Sequence, residues 1–163
     1  MPLDLSHVLL HNSKRYLWGG STVGENELYQ IAFHFREAIV AAKTNGDFDF
    51  RDRMHRFPGG CCDDSCDLLG FYLWEKYRIQ TSQRNGYYEA EMTNHAWLIT
   101  DNRIIIDITG DQFYGAWEPV YVGPEVGNYE KLSRIITQDN FDIRKQSRLW
   151  NDYNIILKYL KEK

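Results

Sequence analysis

Three cysteines fall in one short segment, Gly60-Cys61-Cys62-Asp63-Asp64-Ser65-Cys66, and the rest of the chain carries none. A thiol is a strong nucleophile once it is ionised or paired with a base. Cys62 has the setting for that chemistry. It follows Gly59-Gly60, where the backbone can turn sharply, and it stands where helix-like composition begins. Free N–H groups at a helix N-terminus favour a thiolate and can bind an oxyanion. Asp63 and Asp64 oppose this, because carboxylates disfavour a nearby thiolate, so a positive partner is required. His95 fits that role, opening an apolar strand in Asn94-His95-Ala96-Trp97. Asp107 interrupts the next apolar run, Ile104-Ile105-Ile106-Asp107-Ile108. A carboxylate there is costly unless it is paired, and an imidazole on the adjacent strand would meet that need. The three residues make a nucleophile, a base and an orienting acid: Cys62, His95 and Asp107. Asn94, beside His95, and Gln112, beyond the Asp strand, are candidate supporting residues.

Other readings compete at the same residues. Cys66 lies one turn inside an apolar helix and reads as core, and Cys61 reads as structural or incidental. Cys62 and Cys66, at i and i+4, could share a zinc ion with Cys61 or His95, although no paired Cys-x-x-Cys knuckles are present. A redox switch among the three thiols is a further reading, added to catalysis rather than replacing it. His7, His11, His34 and His55 receive no role. Trp97, Tyr114 and Trp117 read as core before they read as a substrate groove.

The elements that must position these groups follow from periodicity. Residues 1 to 25 read as irregular, with a short helix over residues 5–11. Leu28, Ile31, Ala32, Phe35, Ile39 and Ala42 recur at helical spacing, predicting an amphipathic helix from residue 25 to about 42. Residues 46–58 read as a loop ending at Pro58-Gly59-Gly60. A second helix starts near Cys62, with acids in its first turn to meet the positive end of its dipole. Gly70 in the middle of that helix signals close packing against a neighbour. Asn85-Gly86 reads as a turn between two strand-like stretches, residues 78–83 and 86–91. Two strands follow, residues 95–100 and 104–109, apolar on both faces and so buried on both sides. Residues 120–122 read as a further strand, and the chain from Asn128 reads as returning to helix, with Leu149, Trp150, Tyr153, Ile156, Leu157 and Leu160 on one stripe. Helix, helix, meander, helix describes an α+β domain with an antiparallel sheet.

The hairpin between the His and Asp strands carries a geometric condition. A two-residue turn at Asp101-Asn102 pairs residue 96 with 107 and turns His95 away from Asp107. A three-residue loop, 101–103, sets 97 opposite 107 and makes His95 a same-face diagonal neighbour about 7–8 Å away. A triad requires the three-residue loop or an equivalent bulge.

The Gly-x-Cys start of a helix, His-Ala-Trp-Leu on a strand and Ile-Asp-Ile-Thr on the next together resemble the transglutaminase-like branch of the papain-like fold. Phe57-Pro58-Gly59-Gly60-Cys61-Cys62-Asp63-Asp64 and Ile106-Asp107-Ile108-Thr109-Gly110-Asp111-Gln112-Phe113 are similar to its small bacterial members. The similarity spans residues 57 to 113, a catalytic core of about a third of the chain. The resemblance implies a cysteine hydrolase or acyltransferase acting on amides, with the nucleophile at Cys62 rather than Cys61. It also implies N-terminal helices, the nucleophile helix among them, packed on an antiparallel sheet with a C-terminal helix. Cys61, Cys66 and the two acids after Cys62 depart from the family pattern, and nothing matches its calcium sites.

Composition sets the outer limits. The 163 residues read as one domain, 1–163, with no repeat, low-complexity tract or linker. Aromatic residues make up 15%, which predicts a core built around large rings. A net charge of −4 argues against nucleic acid as partner. No apolar run approaches the ~20 residues of a membrane span, and no signal peptide is evident. The expectation is a cytoplasmic enzyme, or an effector exported by a signal-free route, acting on a protein or peptide without a cofactor or metal. Hydrolysis, glutamine deamidation and protein crosslinking all remain open, as does a non-catalytic binding module. Oligomeric state is not legible.

Overall fold

Leu28, Ile31, Ala32, Phe35, Ala38, Ile39 and Ala42 fall on the buried stripe of α1 (Glu25–Thr44) in the computed structural model, which describes residues 16–18 and 21–160. The helix expected over residues 5–11 lies outside the described residues. Ahead of α1, β1 (Tyr16–Trp18) and β2 (Ser21–Val23) pair antiparallel. The loop after α1 contains one short 3-10 turn, Arg53–Arg56, capped by Asp52 Oδ1, which accepts from the Met54 N–H at 2.9 Å.

The second helix, α2 (Cys62–Tyr77), begins at the predicted residue and buries Leu68, Leu69 and Leu73. Its glycine has the expected reason. A Cβ on Gly70 would stand 2.6 Å from Asn140 Nδ2, and that amide donates to the Thr81 carbonyl (2.9 Å), tying the helix flank to the start of the sheet.

Five strands form one antiparallel sheet: β3 (Thr81–Tyr88), β4 (Thr93–Thr100), β5 (Ile104–Asp107), β6 (Tyr121–Pro124) and β7 (Ser133–Asp139). The spatial order is β6-β5-β4-β3-β7, so four strands meander and the fifth returns to the far edge beside β3. The last helix, α3 (Ser147–Leu160), buries Leu149, Tyr153 and Ile156. Among the described residues the fold is thus α+β, three α-helices with one five-stranded antiparallel sheet. Among the described residues no helix is long and apolar enough to cross a membrane.

The reading of residues 1–25 as irregular is corrected by the paired strands β1 and β2, and two further expectations are corrected in the sheet. Asn85-Gly86 is not a turn: β3 runs straight through it, and the reversal comes at residues 89–92, where Met92 adopts φ 48°. Gly86 serves close approach instead. A Cβ there would lie 2.7 Å from Ile135 Cδ1 and 3.0 Å from Trp97 Cη2. The chain after Asn128 does not return directly to helix. Ser133-Arg134-Ile135-Ile136-Thr137 forms the edge strand β7, as its β-branched residues favour. That strand is mostly exposed, so no one-sided apolar pattern announced it.

The alternation of β4 and β5 separates two cores. Ala96, Leu98, Ile104 and Ile106 join the helices in the larger cluster. Trp97 and Ile105 join Phe113, Trp117, Tyr129 and Leu132 in a smaller, mainly aromatic one. This explains strands that are apolar on both faces, and it places much of the chain's ring content beside His95.

Candidate active site

The β4–β5 connection decides whether a histidine and an aspartate can meet. Leu98 pairs with Ile106 and Ile99 with Ile105, and one further step along this register sets Trp97 opposite Asp107. The loop is therefore three residues long. Arg103 takes φ 64° and donates its N–H to the Thr100 carbonyl (2.8 Å), which closes the turn. His95 consequently lies diagonal to Asp107 on the same face, and its Nε2–H donates to Asp107 Oδ2 at 2.6 Å.

Both partners are buried, at 0% and 2% exposure, so the aspartate must be satisfied. It is. Tyr129 OH donates to Oδ2 (2.7 Å), while the Thr109 N–H (2.9 Å) and hydroxyl (3.2 Å) donate to Oδ1. Burial alone would push the Asp107 carboxyl up, but the charge and hydrogen bond of His95, with these other donors, hold it below the ordinary carboxylate range. Burial likewise pulls the imidazole down. Asp107's charge and hydrogen bond, followed by the hydrogen bond and charge of Cys62, outweigh that and raise it to about 9. Phe113 and Trp117 stand edge-on to the imidazole, at 4.9 and 5.6 Å between ring centroids. These rings fix its plane and keep water from its faces.

Cys62, the first residue of α2, acts on the same imidazole by hydrogen bond and charge and is half-buried, whereas Cys61 and Cys66 are buried. Burial pushes the Cys61 thiol up to about 12 and the Cys66 thiol well above its ordinary value. Position in the helix thus separates one accessible thiol from two core ones. Cys61 occupies the N-cap without a side-chain capping bond, so N–H groups of the first turn are left free at the thiol. Of the acids expected to oppose a thiolate, Asp64 is turned onto Arg148 of α3 in a two-pronged ion pair (2.8 and 3.0 Å). Asp63 Oδ1 accepts from Gln83 Nε2 (3.2 Å).

The two supporting candidates part company. Gln112 lies in a 3-10 turn, Gly110–Gln112, with Nε2 2.8 Å from His95 Nδ1. Asn94 is exposed on β4 opposite Tyr87, and strand alternation turns it away from the face that carries His95. Sequence reasoning missed Tyr129 and Thr109. Thr109 had a local signal, since an aspartate often accepts from the N–H two residues on. Tyr129 had none, arriving from a 3-10 turn, Gly127–Lys131, beyond β6. Among the aromatic residues considered for a groove, Trp97 and Trp117 are buried in the smaller core and Tyr114 is exposed.

A cavity of about 340 Å³ lies elsewhere, between Gly70, Phe71 and Trp74 of α2 and residues 139–142. It is some two turns of helix, about 12 Å, along α2 from Cys62. Among the described residues no group of three or more His, Cys, Asp or Glu side chains could hold a metal ion. Comparison with known proteins finds no matching family model, no matching curated protein and no matching solved structure.

Proposed function

We propose that this protein is a thiol-dependent amide hydrolase or acyltransferase that works through a Cys62–His95–Asp107 triad, with a protein or peptide as substrate. The observation that carries the reading is the buried Asp107, saturated by four donors and locked onto His95 Nε2, beside a thiol at a helix N-terminus. A carboxylate so fully held charged stabilises an imidazolium and fixes the ring with Nδ1 toward its other partners. The helix-first order of nucleophile, histidine strand and aspartate strand also fits a papain-like fold of the transglutaminase-like kind.

The Cys62 proton passes to His95 Nδ1 and sulfur attacks the amide carbon. The developing oxyanion is stabilised by the Cys62 N–H and its uncapped neighbours in the first turn. Nδ1–H protonates the departing amine as the C–N bond breaks, leaving a thioester on Cys62. Water resolves the thioester in hydrolysis, and a primary amine resolves it in transamidation.

Iodoacetamide mapping by mass spectrometry tests the proposal. Cys62 should label at least about tenfold faster than Cys61 and Cys66, and His95→Ala should abolish that preference. Equal, slow labelling of all three thiols would remove the activated nucleophile. A Cys62→Ala trap in lysate, run beside wild type with a fluorescent primary amine, then reports the substrate and whether acyl transfer to amines occurs.

A further inference from the structure

Asp107 leaves His95 only one working nitrogen. With Nε2–H committed to the carboxylate, every proton the ring gains or gives passes through Nδ1. At Nδ1 the Gln112 carboxamide stands 2.8 Å away, and the Cys62 thiol, which acts on the same ring by hydrogen bond and charge, has only this nitrogen open to it. A neutral ring has one in-plane lone pair there, so a thiol and an amide N–H compete for it.

Gln112 is also held in place with unusual care. Its N–H donates to the Thr109 carbonyl (3.1 Å), closing the turn directly after Asp107. Arg36 of α1 clamps the next residue back, donating to both Asp111 oxygens (3.0 and 2.6 Å) and to the carbonyls of Ile108 and Pro119. Gly110 has no room for a Cβ, which would meet the Glu118 carbonyl. A surface glutamine needs none of this.

We propose, building on the thiol-hydrolase reading above, that Gln112 is a positioning residue for His95: its carboxamide N–H, donated to Nδ1, favours the neutral Nε2–H tautomer and orients it for resolution of the thioester. The other groups facing the ring pull the opposite way. Asp107 from β5, with Tyr129 and Thr109 keeping it charged, favours the cation, as do Cys62 and Asp63 from α2 when ionised. Burial by Phe113 and Trp117 favours the neutral ring and fixes its plane but does not choose between its tautomers. Once Cys62 is acylated its sulfur no longer offers Nδ1 a proton, and Gln112 remains. As water enters it displaces the Gln112 N–H from the Nδ1 lone pair, and Nδ1 takes a proton from that water as the water oxygen bonds the thioester carbon. The C–S bond then breaks, the acid departs, and the Nδ1 proton returns to the sulfur.

The test is a ¹⁵N NMR titration of the full chain, with the remaining histidines as internal controls. Above its midpoint, where the ring is neutral, wild type should show the Nε2–H tautomer at His95. Gln112→Ala should raise the His95 midpoint by about one pH unit, and Gln112→Glu, whose ionised carboxylate can only accept, should raise it further. In stopped-flow assays with an activated ester the same variants should keep the acylation burst and slow the steady state about tenfold. A His95 midpoint that is unmoved or lowered in both variants overturns the proposal. Wild-type Cys62 that never acylates overturns the hydrolase reading instead, a result independent of the titration.

Discussion

Two aspartates, Asp107 and Asp152, are almost wholly buried, and the fold treats them in opposite ways. Asp107 meets an imidazole and three further donors and is held ionised, below the ordinary carboxylate range. Asp152, on α3, shares the single guanidinium of Arg148 with Asp52 and Asp64, at 3.7 Å from it and with Oδ2 unbonded. Burial and the charge of Asp52 push its carboxyl up to about 8. Depth therefore does not decide the charge state of a carboxyl. The number of donors aimed at it does, and the site proposed to move protons is the one where donors are in excess.

Breaking the first site gives the largest effect. Asp107→Asn should lower turnover about 10³–10⁴-fold, because an amide can donate to Nε2 and favour the wrong tautomer. Steady-state kinetics with an activated ester will show it, and Cys62 labelling should slow in parallel.

Removing Arg148, the cation that Asp52, Asp64 and Asp152 share, comes next. Arg148→Ala should destabilise the fold by about 2 kcal/mol in urea unfolding, below the range for fully buried pairs because the arginine is partly in water. Tyr129→Phe removes one of the four donors on Asp107 and should cost roughly tenfold in turnover. An effect as large as that of Asp107→Asn would make Tyr129, not the imidazole, the main support of the charge.

The smallest expected effect is a change of pH dependence. A carboxyl raised to about 8 when folded, from an ordinary 3.8, takes up protons on folding, so it makes stability fall as pH rises between those values. Asp152→Asn should leave Tm unchanged near pH 4 and raise it by a few degrees at pH 8. His95 also gains a proton on folding: its contribution is full below about 6.5 and fades as pH rises through about 9. Asp107 behaves in the reverse sense, contributing above the ordinary carboxylate range and fading on acidification below it. Calorimetry across pH on Asp152→Asn and His95→Ala separates the contributions.

Much of the site was legible because its signals were local. A glycine pair before a cysteine, acids in a first helical turn and an aspartate amid isoleucines each carry meaning within a few residues. The helix boundaries followed from apolar spacing, and Gly70 foretold the contact that Asn140 makes. Asn85-Gly86 misled because its turn preference was overridden by the pairing of β3 with strands on both sides and by the close approach of Trp97 and Ile135. The exposed edge strand β7 was missed because nothing in an unburied strand forces alternation.

The sequence alone determined the kinds of groups available and which elements carry them: a thiol opening a helix, a histidine opening a strand and an acid on the next. Tertiary structure decided the rest. Arg103 in the left-handed region set the loop length that makes His95 and Asp107 same-face neighbours. The fold also brought Tyr129, 22 residues from Asp107 in sequence, onto its carboxylate, and it drew Asp64 onto Arg148. Such choices depend on register and on contacts between distant segments, which the periodicity of a single chain does not encode.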